Sequence, residues 1–231
     1  MTANLTILDA GAAARPRDVP LGSPTRPSWR GRLHLAMLTV TAPLCALVAV
    51  DATSFRSRFG LLVFAVALCS MLTVSVTYHR WVHTLRARAA WRRADHAMIF
   101  VAIAGTATPL CLGLEPAGSA TWRLVFVWTI AAVGVAAKLS GCRRGDHVGN
   151  VLYIANGWAG FLILPPLWAS GEVIATLLII GGGVVYTVGA VGFTRRWPTL
   201  RPSVFGYHEV WHAATVVAAA AHVVAVSMIT R

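Results

Sequence analysis

Seven long apolar runs, each bounded by charges or turn residues, constrain this chain more than any other feature of its sequence. They fall at about 34–50, 59–79, 95–114, 121–138, 148–168, 173–193 and 206–229. A helix needs roughly 20 apolar residues to cross the hydrocarbon core of a bilayer, and tilt or local thinning absorbs small departures in length. In 231 residues, seven such helices joined by short loops leave room for a polar N-terminal tail and for no appended soluble domain. The expected fold is an all-α membrane protein with seven transmembrane helices. Composition agrees: 12% of residues are charged and 57% hydrophobic, against roughly 25% charged in an ordinary soluble domain, and mean hydropathy is +0.66.

A net charge of +12 would point to nucleic acid in a soluble protein. Here the placement of the basic residues decides otherwise. Five lie in the N-terminal tail, five between the second and third segments (Arg80, Arg86, Arg88, Arg92, Arg93), three after the fourth (Lys138, Arg143, Arg144) and three after the sixth (Arg195, Arg196, Arg201). The opposite side holds only Arg56, Arg58, Arg123 and Arg231. Cytoplasmic loops retain Lys and Arg, so sixteen against four predicts a cytoplasmic N-terminus and an external C-terminus in a multi-pass protein of the plasma (inner) membrane. The excess charge then faces anionic lipid headgroups, and no nucleic-acid partner is expected. Residues 1–32, with Pro16, Pro20, Pro24 and Pro27 and no sustained apolar run, are expected to form a disordered basic cytoplasmic tail. They lack the apolar core of a cleavable signal peptide. Residues 33–231 form the seven-helix transmembrane domain.

Glycines at 181–183, 189 and 192, and Pro109, Pro165 and Pro166, would disturb a water-soluble helix but are tolerated in membranes, where small residues permit close packing. The four cysteines, Cys45, Cys69, Cys111 and Cys142, include no CxxC pair, which argues against a disulfide framework or a thiolate metal site.

Ionisable groups inside spans are costly and mark functional sites, and here they are few. The second segment ends in Ser75-Val76-Thr77-Tyr78-His79, the third opens with Arg93-Ala94-Asp95-His96, and the seventh opens with Tyr207-His208-Glu209-Val210-Trp211-His212. With the N-terminus inside, all three clusters lie at the same depth in the cytoplasmic leaflet. His208 and His212 are four residues apart, so they share a helix face, offset by about 6 Å along the axis. Two such imidazoles can grip one metal ion, His79 is the natural third ligand, and three ligands leave the open position of a catalytic zinc site. Ser75 lies one turn from His79 on the same face. Asp95 is a carboxylate at matching depth, able to orient a metal-bound water. Three imidazoles suit zinc better than magnesium or calcium. His34, His83, His96 and His147 lie at helix ends or beside polar loops and read as interfacial. His208–His212 also matches H-E-x-x-H, but the third histidine of a metzincin is missing: His222 lies ten residues beyond His212, about 15 Å up the helix. Glu209 is turned about 100° from His208 around the helix.

Ser75-x-x-x-His79, Arg92-Arg93-Ala94-Asp95-His96 running on to Thr106-Ala107-Thr108-Pro109, Gly181–Ala190, and Phe205-Gly206-Tyr207-His208-Glu209-Val210-Trp211-His212 together resemble the hemolysin III branch of the progestin and adipoQ receptor family. The resemblance spans essentially all of residues 30–231. It implies seven helices, a cytoplasmic N-terminus and a zinc ion near the cytoplasmic face, with His79, His208 and His212 as ligands, Asp95 in contact through water and Ser75 beside the site. The chain departs from the pattern in two places. Many members carry a Glu and an Asn ahead of a histidine at the start of the first helix, where this chain has Arg30-Gly31-Arg32-Leu33-His34, and the usual aromatic before Thr108 is Ala107.

The family is related to membrane hydrolases of the alkaline ceramidase type, so the resemblance implies zinc-dependent hydrolysis of a lipid amide, with a membrane lipid as substrate or ligand and Asp95 and Ser75 as catalytic residues. Two other readings stay open. One is a zinc-stabilised membrane sensor or structural protein without turnover. The other, from the family's name, is lysis of membranes, although no amphipathic pore segment is present.

Overall fold

The computed structural model describes residues 27–230, except Thr53 and Glu115. Among the described residues the chain is helical, with no strand beyond a single bridge between Arg201 and Phe205. In order the helices are α1 (Arg32–Asp51), α2 (Phe55–Val76), α3 (Leu85–Leu114), α4 (Ala117–Leu139), α5 (Arg143–Trp158), α6 (Leu164–Ala169), α7 (Val173–Thr194) and α8 (Tyr207–Ile229). A π-helical turn, Thr77–Trp81, continues α2, and a 3-10 turn, Ala159–Leu162, joins α5 to α6. Five stretches are long and apolar enough to cross a membrane: Phe55–Trp81, Leu85–Leu114, Gly118–Leu139, Val173–Thr194 and Tyr207–Ile229. The chain is a multi-pass membrane protein.

Each apolar run of the sequence is helical, but two boundaries differ from expectation. α3 begins ten residues before the expected start at Asp95, because Leu85–Ala94 is made almost wholly of Leu, Arg and Ala, all strong helix formers whatever their polarity. Asp95 therefore sits on the third turn of a continuous helix instead of at its opening. The fifth run is not one helix. Pro165 and Pro166 occupy the first turn of α6, where a missing N–H costs nothing, so the helix ends at Trp158 and restarts beyond the 3-10 turn. Of the tail expected over 1–32, residues 1–26 lie outside the described residues. Residues 27–32 are structured: Ser28 and Trp29 donate backbone hydrogen bonds to Ser203 O and Val204 O, at 3.1 and 3.2 Å.

The interior is built mainly from α2, α3 and α8, with Leu72, Phe100, Ala104, Leu110, Cys111 and Val226 almost wholly buried. Outward-facing residues are equally apolar: Val66, Val125, Ile174, Leu177, Val188 and Val217 are all more than half exposed. A soluble protein rarely displays so much contiguous apolar surface, whereas lipid chains solvate it. At the end of the bundle remote from the N-terminus of α8, Leu167, Ala175 and Ala225 form a second small cluster with Leu114 and Met228 packed against it.

The tightest helix contact explains one glycine. A Cβ added to Gly105 on α3 would lie 2.3 Å from the Cβ of Ala67 on α2, a separation no relaxation of a side chain can relieve. Gly105→Ala should therefore push α2 and α3 apart, at a cost of about 1–3 kcal/mol, typical of overpacking. Removing the opposing methyl in Ala67→Gly/Gly105→Ala should restore most of the loss. Thermal melting in detergent reads both, and a Gly105→Ala protein melting with the wild type would contradict this packing.

A candidate metal centre

The site forms where one end of α2 and the N-terminal ends of α1 and α8 meet. α2 delivers Ser75 from its last α-helical turn and His79 from the π-helical turn that follows, both buried. π-turns are uncommon and cluster at functional sites, because they re-aim a side chain that α-helical register would send elsewhere. α8 delivers His208 and His212 one turn apart, and its start is fixed by Glu209, whose Oε2 accepts the Gly206 N–H at 2.8 Å. This is the N3-to-cap half of a capping box.

The three imidazoles converge. Each pair of ring centroids, His79–His208, His79–His212 and His208–His212, is 4.8 Å apart, with interplanar angles of 81°, 66° and 64°. One ring nitrogen from each lies within 4.8 Å of the others. Edge-on arrangement of all three rings points nitrogens at a common position instead of stacking faces, which is the disposition a tripod of metal ligands requires. The donor set, three imidazole nitrogens with a carboxylate nearby, fits a divalent transition metal. That carboxylate is Asp95, whose Oδ2 lies 3.9 Å from His79 Nε2 and 3.9 Å from His96 Nδ1. The sequence-predicted residues Ser75, His79, Asp95, His208 and His212 are thus brought together from three helices.

Other histidines sort differently from one another. His96 is partly exposed and its Nδ1 lies 2.7 Å from Arg92 O. His83 is exposed, and the side chain of His147 lies outside the described residues. His222 is remote from the cluster, with its Nε2 3.3 Å from Ile179 O on α7, in space left by Gly182. His34 corrects the sequence reading. It is not interfacial but buried: its ring stacks on His212 at 3.9 Å and 8°, and its two nitrogens lie 2.8 Å from Ser75 Oγ and 2.9 Å from Thr215 Oγ1.

Arg30 is the second residue the sequence did not single out. Its Nε donates to Glu209 Oε1, and only 1% of the Glu209 side chain is exposed, against 21% for Arg30. The pair anchors a short strap. Residues 28 and 29 bond to the 203–204 loop, Trp29 meets Phe205 edge-on at 6.2 Å, and Gly31, at φ +74°, passes so close that a Cβ would lie 3.0 Å from His79 Cβ. Glycine supplies both the left-handed conformation and the clearance. A signal for these residues exists in the sequence: Arg30 and His34 are spaced by four at the start of the first apolar segment, at the depth assigned to the other polar clusters.

A family model described as "Haemolysin-III related" matches residues 23–223. The chain belongs to this family. Among haemolysin-III-related and neighbouring proteins, it is 26% identical to "Hemolysin-3 homolog" of Bacillus subtilis (strain 168), over 78% of this chain and 83% of that protein. It is 27% identical to "Hemolysin-3" of Bacillus cereus, over 75% and 77%. It is also 29% identical to "Heptahelical transmembrane protein ADIPOR2" of Oryza sativa subsp. japonica, over 74% and 82%. Haemolysin-III-related membership thus accords with the resemblance carried by the motifs around Ser75, Asp95 and His208.

Removing one partner from a buried ion pair leaves an uncompensated charge, at a cost of about 3–5 kcal/mol when burial is complete. Glu209 is the more buried member, so Arg30→Ala should lower the melting temperature more than Glu209→Gln. Arg30→Ala/Glu209→Gln should recover part of the loss. Equal melting of Arg30→Ala and wild type would show that the pair does not hold the strap.

Proposed function

We propose that this chain is a seven-span protein of the plasma (inner) membrane, N-terminus in the cytoplasm and C-terminus outside, that binds zinc through His79, His208 and His212. Its reaction is hydrolysis of a membrane lipid amide of the ceramide type, with Asp95 and Ser75 as the catalytic side chains. One observation carries the reading: three imidazoles, two of them buried, converge with a carboxylate 3.9 Å from one of them. A tripod of neutral nitrogens favours zinc over hard cations, and three ligands leave room for a water and a substrate oxygen. Zinc held there would supply Lewis-acid polarisation of the amide carbonyl and acidify a water.

The chain's own groups do the rest. Asp95 stands beside the imidazole trio, where its carboxylate accepts a proton from the attacking water and returns it to the amine that leaves. Ser75, packed between α1 and α2, fixes the wall of the site through its contact with His34. Arg30, Glu209 and the strap over residues 27–31 cover the cluster at its polar end and exclude bulk water, so that a lipid reaches it from the bilayer. The basic residues flanking the same end of the bundle attract anionic headgroups.

A non-catalytic, zinc-stabilised reading is favoured by one observation: the cluster ties the ends of α2 and α8 together, as a structural site would. The readings separate experimentally. The purified protein should carry about one zinc per chain, and His79→Ala should lose most of it together with thermal stability; full occupancy in that variant would mean the third ligand is wrong. Asp95→Asn should keep zinc and fold while losing about 10²–10⁴-fold of lipid amide hydrolysis, the usual loss with a general base. Zinc-loaded wild type that cleaves none of a panel of ceramides and N-acyl lipids would favour the structural or sensor reading. Dye leakage from liposomes that survives zinc removal would favour lysis.

A further inference from the structure

Both ring nitrogens of His34 are engaged by hydroxyl groups. Nε2 lies 2.9 Å from Thr215 Oγ1, a hydroxyl that is also within donating distance of His212 O, at 2.8 Å. Nδ1 lies 2.8 Å from Ser75 Oγ, and the Ser75 hydroxyl also has the Asp95 carboxylate as a partner.

The same ring lies flat on His212, with centroids 3.9 Å apart and planes 8° from parallel. His212 is thereby held twice, by its backbone carbonyl through Thr215 and by the face of its ring through His34. His34 reaches Ser75, which precedes His79 by one turn, through its other nitrogen. One side chain of α1 thus touches both helices that carry the imidazole cluster.

We propose that His34 is a positioning residue of the metal centre: it fixes the ring plane of His212 by stacking, and its two ring nitrogens tie α1 to Ser75 on α2 and to Thr215 on α8. This deepens the proposed zinc site and rests on that reading for its consequence in metal binding, while the stacking of His34 on His212 stands on this chain's atoms alone. Side chains that orient metal ligands typically contribute 10–100-fold to metal affinity.

Two measurements test this. In metal-free, ¹⁵N-histidine-labelled protein, the ring signals of His212, identified as those that vanish in His212→Gln, should move in His34→Gln, which removes the stacked ring, and Ser75→Ala should move the His34 Nδ1 signal; His212 signals unmoved in His34→Gln would overturn the stacking role. Cobalt(II), used as a visible probe, should bind His34→Ala about 10–100-fold more weakly than wild type with an altered ligand-field spectrum. His34→Phe, which keeps an aromatic face against His212, should recover part of that affinity while leaving the Ser75 bond broken. Wild-type affinity and spectrum in His34→Ala would overturn the positioning role. Wild-type protein that binds neither cobalt nor zinc would refute the metal reading and, with it, the metal-positioning role, whereas the stacking is decided in the metal-free protein. If His34→Ala does not fold, Thr215→Val serves in its place, since it removes the hydroxyl that holds His34 Nε2 and should lower cobalt affinity in the same direction; unchanged affinity there overturns the proposal.

Discussion

Polar side chains buried at one end of an apolar bundle must satisfy one another, because no nearby water can do so cheaply. That requirement organises this protein. His34, Ser75, His79, Glu209, His212 and Thr215 are all buried, and they come from α1, α2 and α8. His34, Ser75, Glu209 and Thr215 are hydrogen-bonded to one another, to backbone or to Arg30, and the rings of His79 and His212 turn edge-on to His208. The helix ends that carry them cannot drift apart without exposing several partners at once. The rest of the bundle, with its Gly105–Ala67 contact and outward-facing valines and leucines, is the apolar frame that makes this polar end expensive to disrupt.

Much of this was legible from the residues alone. Helices follow the apolar runs, and the segments carrying Ser75, His79, Asp95, His208 and His212, expected at one depth from the basic-residue asymmetry, come together at one end of the bundle. The i, i+4 pair fixed which face of α8 turns inward. The limits are equally specific. Hydropathy marks where a segment is apolar, not where its helix begins, so the polar but helix-favouring stretch ahead of Asp95 escapes it. Nor does it show that Pro165 and Pro166 divide the fifth run, since membrane helices often absorb a proline.

The strap was the least legible part. Arg30 looks like one more topogenic arginine among five in a polar segment, and its partner, Glu209, looks like the second letter of a protease motif. Only tertiary contact reveals that they are one buried pair. The same pair explains why Glu209 takes no place among the imidazoles: one carboxylate oxygen is bonded to Gly206 N and the other to Arg30. Where many relatives are expected to carry Glu and Asn before the first helix, this chain closes its polar end with an arginine instead.

X-ray absorption at the zinc edge, on protein purified without added metal, addresses the central claim most directly. The account requires a first shell of nitrogen and oxygen at about 2.0–2.1 Å, with the outer scattering of three imidazoles and one further light atom. A sulfur shell near 2.3 Å, a count of one or two imidazoles, or no zinc at all would contradict it.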